Sequence, residues 1–245
     1  VRFSVQIILA LLIIIFGSNQ PIYHSDLYLA FVFIYLIVLA ILTVYFINLY
    51  NFMDGIDLLA SSQALFVIIS LMFLGAGPWW GWIPIAAITG FMFFNYTPAK
   101  LFLGNAGSYL LATTLLLLLA QWPFHIFLIL TAPFVADTTY TLVIRFKHRF
   151  NDLRSQNYTL MDAFKYSIIF ITGAHKSHLY QKLAVKLKSH IKVVGYILIY
   201  NVFWCLPLAK LAIESWSLSF VMSMILLSYI PYIYFCRKYN AGIDK

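Results

Sequence analysis

The sequence predicts an all-α, polytopic membrane protein with about eight transmembrane helices. Three observations predict it: too few charges to clothe a soluble surface, long runs with no charge at all, and basic residues that fall almost wholly on one side of the implied topology. Of the 245 residues, 63% are hydrophobic and 10% are charged, whereas soluble domains carry about 25% charged residues. The apolar character extends over the whole length, so one transmembrane domain spanning 1–245 is expected.

The uncharged runs locate the helices. No Asp, Glu, Lys or Arg lies between Asp26 and Asp54, between Asp57 and Lys100, or between Lys100 and Asp137. A spanning helix takes about 20 apolar residues. The first run holds one such helix. Each of the other two holds a pair, divided by Gly75-Ala76-Gly77-Pro78 and by Gln121-Trp122-Pro123. Helices suit these runs because lipid leaves no partner for unpaired backbone groups, and the alternation of a barrel strand is absent. The expected spans are 3–17, 27–50, 58–75, 80–96, 106–121, 124–145, 191–212 and 216–236. No small-residue cleavage site follows the first span. Cys205 and Cys236 fall at different depths and predict no disulfide.

Orientation follows from the sixteen Lys and Arg residues. Eight alternating spans place Arg2, Lys100, the stretch Arg145 to Lys192 and the C-terminal tail on one side, leaving only Lys210 near the other. The positive-inside bias makes the basic side cytoplasmic. Trp79, Trp80, Trp82, Trp122 and Trp216 then form a belt on the far side. The net charge of +8 is thus mostly topology, helped by anionic lipid or substrate, and does not point to nucleic acid. A basic cytoplasmic loop, 146–190, is expected within the domain.

Polar residues concentrate on the cytoplasmic side. If helical, Asn48, Asn51, Asp54 and Asp57 share one face at intervals of three. Two carboxylates and two carboxamides so placed suit a divalent cation or a group rich in hydrogen-bond donors. A helix end entering water, with the acids capping the next helix, accounts for the same pattern. The stretch Leu103-Gly104-Asn105-Ala106-Gly107-Ser108 opens a helix, and backbone N–H groups at such a start favour phosphate; an ordinary loop and cap is the alternative. His175 and His178 follow a basic run, suited to a metal or a phosphate, or to a solvated basic face. Zinc does not fit, for want of further ligands at the right spacing. Asp137, inside a span beside Thr138 and Thr139, is read as a structural hydrogen-bond node or as a functional acid facing the bundle interior.

Asn48-Leu49-Tyr50-Asn51-Phe52-Met53-Asp54-Gly55-Ile56-Asp57 resembles a signature of the polyprenyl-phosphate sugar-1-phosphate transferases, glycosyltransferase family 4. Phe94-Asn95 with Pro98-Ala99-Lys100 and Phe102-Leu103-Gly104-Asn105-Ala106-Gly107-Ser108 resembles that family's second cytoplasmic motif. His175-Lys176-Ser177-His178-Leu179-Tyr180-Gln181 resembles the histidine motif of the subgroup that initiates O-antigen or related cell-surface and cell-wall glycans.

The resemblance implies transfer of a sugar-1-phosphate from a UDP-N-acetyl sugar to a polyprenyl phosphate, with Mg²⁺ or Mn²⁺, at the cytoplasmic face of a bacterial inner membrane. It implies Asp54 and Asp57 as catalytic residues that bind the nucleotide and organise the metal site, and Asn51 and Asn105 as metal ligands. Asn48, Phe102, Gly104, Gly107, His175, Lys176 and His178 are implied to contact nucleotide or substrate, with Phe102 against the uracil. These residues are expected to converge on one pocket. A homodimer is a further expectation.

The sequence departs from the family in two ways. Asn105 stands where the family carries a metal-binding Asp. The family's preceding helices, and a loop with adjacent aspartates, have no counterpart here; the chain opens at Val1, so it is expected to be the C-terminal part of such an enzyme. Three further readings follow: a catalytically inactive remnant, a member of the muramyl-pentapeptide branch (whose histidines run closer together), and a secondary transporter with Asp137 as relay. No broken mid-membrane helix is foreseen for the last.

Overall fold

The computed structural model describes residues 26–75, 79–119, 123–173, 175–215 and 217–243. The expected span 3–17, and with it Arg2, lies outside them, as do Trp122 and Trp216. Every helix or turn of helix among the described residues is consistent with the all-α expectation, and no strand occurs among them. The chain, expected as one domain, divides into two compact units, the first ending at Leu130 and the second beginning at Thr131.

The N-terminal unit holds α1 (Asp26–Phe52), α2 (Leu59–Phe73), α3 (Trp82–Asn95), α4 (Gly104–Leu119) and α5 (Phe124–Leu130). Helix α1 packs on α4, and α2 packs on both α3 and α4. Ala60 and Ala64 are buried in this unit, as are Leu71, Leu115 and Ile126. Small residues on a helix face allow the close approach that association in lipid depends on. Phe46 meets Phe127 edge-on at 4.6 Å between centroids. Helix α5 stops at Leu130, because Pro133 has no N–H to continue the ladder. The Leu130 carbonyl instead accepts from buried Gln63 Nε2 at 2.9 Å.

The C-terminal unit holds α6 (Ala132–Ser155), α7 (Leu160–Ile171), α8 (Leu179–Leu187), α9 (His190–Tyr200), a π turn (Asn201–Cys205), α10 (Leu206–Ile213) and α11 (Leu218–Lys238). Helix α6 is packed by α7, α8 and α11. The expected loop 146–190 is therefore largely helical. Helix α6 runs on to Ser155, and Thr159 starts α7 by accepting the Asp162 N–H at 3.1 Å. Thr-x-x-Asp is a capping pattern legible in the sequence, hidden there by the polarity of the segment.

Two helices are long and apolar enough to cross a membrane, His190–Ile213 and Leu218–Lys238, and a third is reached if α5 and α6 count as one span. Helices α2 and α4 are apolar but shorter. The length criterion thus supports two or three spans among the described residues, and eight remain an expectation. Only 33% and 22% of the two long spans is buried within the protein, so most of each faces outward, as lipid contact requires.

Both long helices run continuously from end to end, but each carries a proline that disturbs its hydrogen-bond ladder. Pro207 cannot donate to Phe203, and the π turn before it re-registers the ladder, with Leu206 N–H donating to Asn201 O. Pro231 sits inside α11 and leaves the Leu227 carbonyl without its helical donor. Trp204 Nε1 donates to that carbonyl at 2.9 Å, and the Tyr200 hydroxyl donates to Ser228 O. Removing the indole donor strands a carbonyl in an apolar setting, so Trp204→Phe should lower stability by about 1–2 kcal/mol. Thermal unfolding in detergent checks this; an unchanged midpoint contradicts the assigned role of the indole.

Candidate active site

In the N-terminal unit the site is assembled where helices end. Helix α1 terminates at Phe52, so the expected four-residue stripe exists only at Asn48 and Asn51. Asp54 and Asp57 lie in the turn that follows, because Gly55 and the left-handed Leu58 (φ 68°) reverse the chain into α2. Asn48 Nδ2 donates back to Val44 O at 2.8 Å. Asn51 Oδ1 and Asn105 O stand 3.2 and 3.1 Å from Ser108 Oγ and share its single hydroxyl proton. The end of α1 and the start of α4 therefore meet, which joins the first two polar motifs.

Asn95 holds the two connecting loops together. Its Oδ1 accepts from Leu58 N–H at 2.8 Å, and its Nδ2 donates to Leu101 O at 2.9 Å. Buried amides of this kind are costly unless both ends are satisfied. The N–H groups of Lys100 and Leu101 both donate to Phe94 O, closing the 96–103 loop on itself. That loop presents Phe102 outward, 72% exposed. Gly104 takes a left-handed φ of +61°, and α4 starts there with Asn105 exposed. At Gly107 a Cβ would stand 2.7 Å from Leu103, so its lack of a side chain serves packing within the chain.

Asp54 is part-buried at the end of α1, and poor solvation raises its carboxyl to about 7. No group of three or more His, Cys, Asp or Glu among the described residues is close enough to hold a metal. A cation bound here would therefore draw on a few hard oxygens, from Asp54, Asp57, Asn51 and Asn105, and on oxygens of its ligand. Such a donor set fits Mg²⁺, which takes one or two carboxylates alongside phosphate oxygens, and a poorly solvated acid gains from a nearby cation.

In the C-terminal unit, buried Asp137 organises the histidine motif. Its Oδ1 accepts from His178 Nδ1 at 3.1 Å, Leu179 N at 3.0 Å and Thr141 Oγ1 at 3.2 Å. Its Oδ2 accepts from Tyr180 N at 3.2 Å and the Tyr232 hydroxyl at 3.0 Å. Of the two readings of Asp137, the structure favours the hydrogen-bond node. His178 is buried at the start of α8, and the carboxylate fixes its Nδ1 as a donor. His175 stacks on it at 4.8 Å between centroids. Buried Arg145 donates to Ser177 Oγ at 3.3 Å, and Ser177 lies 3.1 Å from His175 Nδ1. Because arginine only donates, the Ser177 hydroxyl is oriented to donate to His175. Lys176 is exposed.

Of the expected site residues, the N-terminal unit contains Asn48, Asn51, Asp54, Asp57, Phe102, Gly104, Asn105 and Gly107, and the C-terminal unit contains His175, Lys176 and His178. Sequence reasoning gave no role to Asn95, Ser108, Arg145 or Ser177. Asn95 and Ser108 stand inside the motifs, and a lone polar residue closing an apolar helix is the signal that marks Asn95.

Long apolar helices and polar motifs gathered at helix ends are the features of a membrane protein. The chain belongs to glycosyl transferase family 4, whose profile matches residues 1–122, and is thereby a glycosyl-phosphate transferase by family. The match covers the first two motifs; the histidine motif lies beyond it. No curated protein and no solved structure matches the chain.

Two outcomes test these assignments. Asp137→Ala leaves five donors without their acceptor and should cost about 3–5 kcal/mol, read as a lowered unfolding midpoint. For Asp54, the folded carboxyl holds its proton to about pH 7, above its ordinary value of 3.8. The folded state therefore binds more protons than the unfolded state between those values, so stability falls as pH rises through that window. Asp54→Asn should flatten that part of the stability profile.

Proposed function

We propose that the protein transfers a sugar-1-phosphate from a UDP-N-acetyl sugar to a polyprenyl phosphate, initiating a cell-surface glycan of the O-antigen or cell-wall type. The reaction takes place at the cytoplasmic face of a bacterial inner membrane, in a chain of about eight spans. The observation that carries this reading is the junction of the first two motifs: Asn95 ties their loops together, and Asn51 meets Ser108 beside the poorly solvated Asp54. The family profile covers both motifs, and fifteen of the sixteen basic residues fall on the side assigned to the cytoplasm.

In this reaction an oxygen of the acceptor phosphate forms a bond to the phosphorus that carries the sugar. The bond from that phosphorus to the bridging oxygen breaks, and UMP leaves with the electron pair. Both partners are anionic, so catalysis consists mainly of positioning and charge compensation. Mg²⁺, held by Asp54, Asp57, Asn51 and Asn105, would supply charge neutralisation of the diphosphate. Asn51 is oriented for this by the Ser108 hydroxyl. Exposed Phe102 offers a ring for the uracil to stack on, and N–H groups at the start of α4 suit phosphate. His175, Lys176 and His178 are the cationic or donor groups for the diphosphate or sugar.

Asp137 offers little to the transporter reading, since its oxygens are already engaged by five donors. Membranes containing the chain, given labelled UDP-GlcNAc, undecaprenyl phosphate and Mg²⁺, should form a lipid-linked sugar and UMP. Asp54→Asn should lower the rate at least about 100-fold. Asn105→Asp should raise it about tenfold by adding a charged ligand. No product from any form sinks the proposal, and product from Asn105→Asp alone identifies an inactive descendant.

A further inference from the structure

The histidine motif contains a buried hydroxyl whose proton has one destination. Ser177 is 1% exposed. Its Oγ lies 3.3 Å from Arg145 Nη1 and 3.1 Å from His175 Nδ1. A guanidinium carries donors and no acceptor. The hydroxyl oxygen therefore receives a proton from Arg145 on one lone pair. Its own proton is a buried donor, and a buried donor left without an acceptor is costly. Among the described residues the acceptor within reach is His175 Nδ1. In the reverse arrangement Nδ1 would give its proton to Ser177, filling both lone pairs of the hydroxyl and stranding the hydroxyl proton.

The surroundings hold these three side chains in place. Arg145, on α6, is buried, and its guanidinium stands 4.5 Å over the Phe170 ring, which fixes its plane. Ser177 O accepts from Gly242 N–H at 2.8 Å, so the backbone that carries the hydroxyl is tied to the tail. Gly242 has φ +81°, and a Cβ there would sit 2.8 Å from Ile144 and 2.9 Å from the Thr141 carbonyl. No other residue fits that contact without displacing the tail. The His175 ring lies on that of His178, with 28° between their planes. His178 is in turn held by Asp137.

We propose that Arg145 and Ser177 are positioning residues that hold His175 with a bare Nδ1 and a proton on Nε2, so that His175 acts on a bound ligand as a hydrogen-bond donor and not as a base. A neutral imidazole whose Nδ1 accepts carries its proton on Nε2. A donor at that atom suits the oxygens that a nucleotide sugar presents. Abstracting a proton needs a lone pair where this ring presents an N–H. The contact with a nucleotide sugar rests on the transferase reading above, whereas the tautomer rests on the three side chains alone.

The test takes the whole chain in phosphatidylcholine nanodiscs with ¹⁵N-labelled histidine, free of Mg²⁺ and ligand. Couplings between ring nitrogens and ring protons separate a protonated nitrogen from a bare one, and His175→Gln, which deletes one set of signals, assigns His175. At about pH 8, above the ordinary histidine range, His175 Nδ1 should be bare and Nε2 protonated. Ser177→Ala should shift the Nδ1 signal, and Ser177→Thr, which keeps the hydroxyl, should restore it. Binding of UDP-GlcNAc in the presence of Mg²⁺ reads the donor role. His175→Gln, whose amide reaches as far as Nε2 and donates, should stay within about threefold of wild type, and His175→Asn, whose amide reaches only to Nδ1, should bind about tenfold more weakly. An unchanged melting temperature confirms that the variants fold. A proton on Nδ1 in the wild type overturns the tautomer, and an Nδ1 signal unmoved by Ser177→Ala overturns the positioning role. Equal losses in the Gln and Asn variants overturn the donor role. A wild type that binds no UDP-GlcNAc overturns the transferase reading, and the nitrogen signals, taken without ligand, still decide the tautomer.

Discussion

The carboxylate of Asp137 is the interaction on which the C-terminal unit depends. Placing a carboxylate in an apolar interior costs several kcal/mol unless donors surround it. Here two backbone N–H groups, a histidine, a tyrosine and a threonine do so. The donors come from α6 itself, from the start of α8 and from α11, so one acid fixes three helices at once. It also sets the direction of the histidine motif. The chain after His178 can begin a helix there because its first N–H groups, which no helical carbonyl can serve, point at Asp137. Arg145, two turns further along the same buried face of α6, does the converse by holding Ser177. The motif is thus suspended between an acid and a base on one helix.

The same rule operates at several helix breaks among the described residues. Lipid supplies no substitute for a lost backbone partner, so each freed group needs a side chain. Gln63 serves Leu130, Trp204 serves Leu227, Tyr200 serves Ser228, and Asn95 serves both Leu58 and Leu101. These polar residues look out of place in apolar runs when the sequence is viewed one helix at a time. In space they serve helix ends, the Pro231 kink and the loop reversals. A polar residue in a span is therefore as readily a marker of a break elsewhere as of a ligand site.

This explains which features were legible in advance. Charge-free runs and punctuation by Gly and Pro located the helices, because each reflects a local cost. The start of α4 at Gly104 was legible for the same reason. The stripe from Asn48 to Asp57 does not form as spaced, because spacing of three is informative only while the helix lasts, and it ends at Phe52. The segment 146–190 reads as loop in sequence because its polarity masks the Thr159 cap and the buried pair Ala163 and Ser167. Gly242 gives no sign in the sequence, since its role arises from contact with Ile144 and Thr141, about a hundred residues earlier.

The replacement of an expected Asp by Asn105 has a physical consequence on the proposed reading. A site with Asp54 and Asp57 as its only acids, one of them poorly solvated and half protonated near pH 7, has little charge with which to strip water from Mg²⁺. That ion dehydrates reluctantly and relies on substrate oxygens where the protein gives few. The diphosphate supplies the missing negative charge, so cation and nucleotide sugar would enter together, each raising the affinity of the other. Ionisation of Asp54 belongs to the same linkage: it is favoured once the cation is near and disfavoured without it. On that reading, Asn105 would move the site from one that holds its metal in advance towards one that acquires it with substrate, a change in the order of assembly.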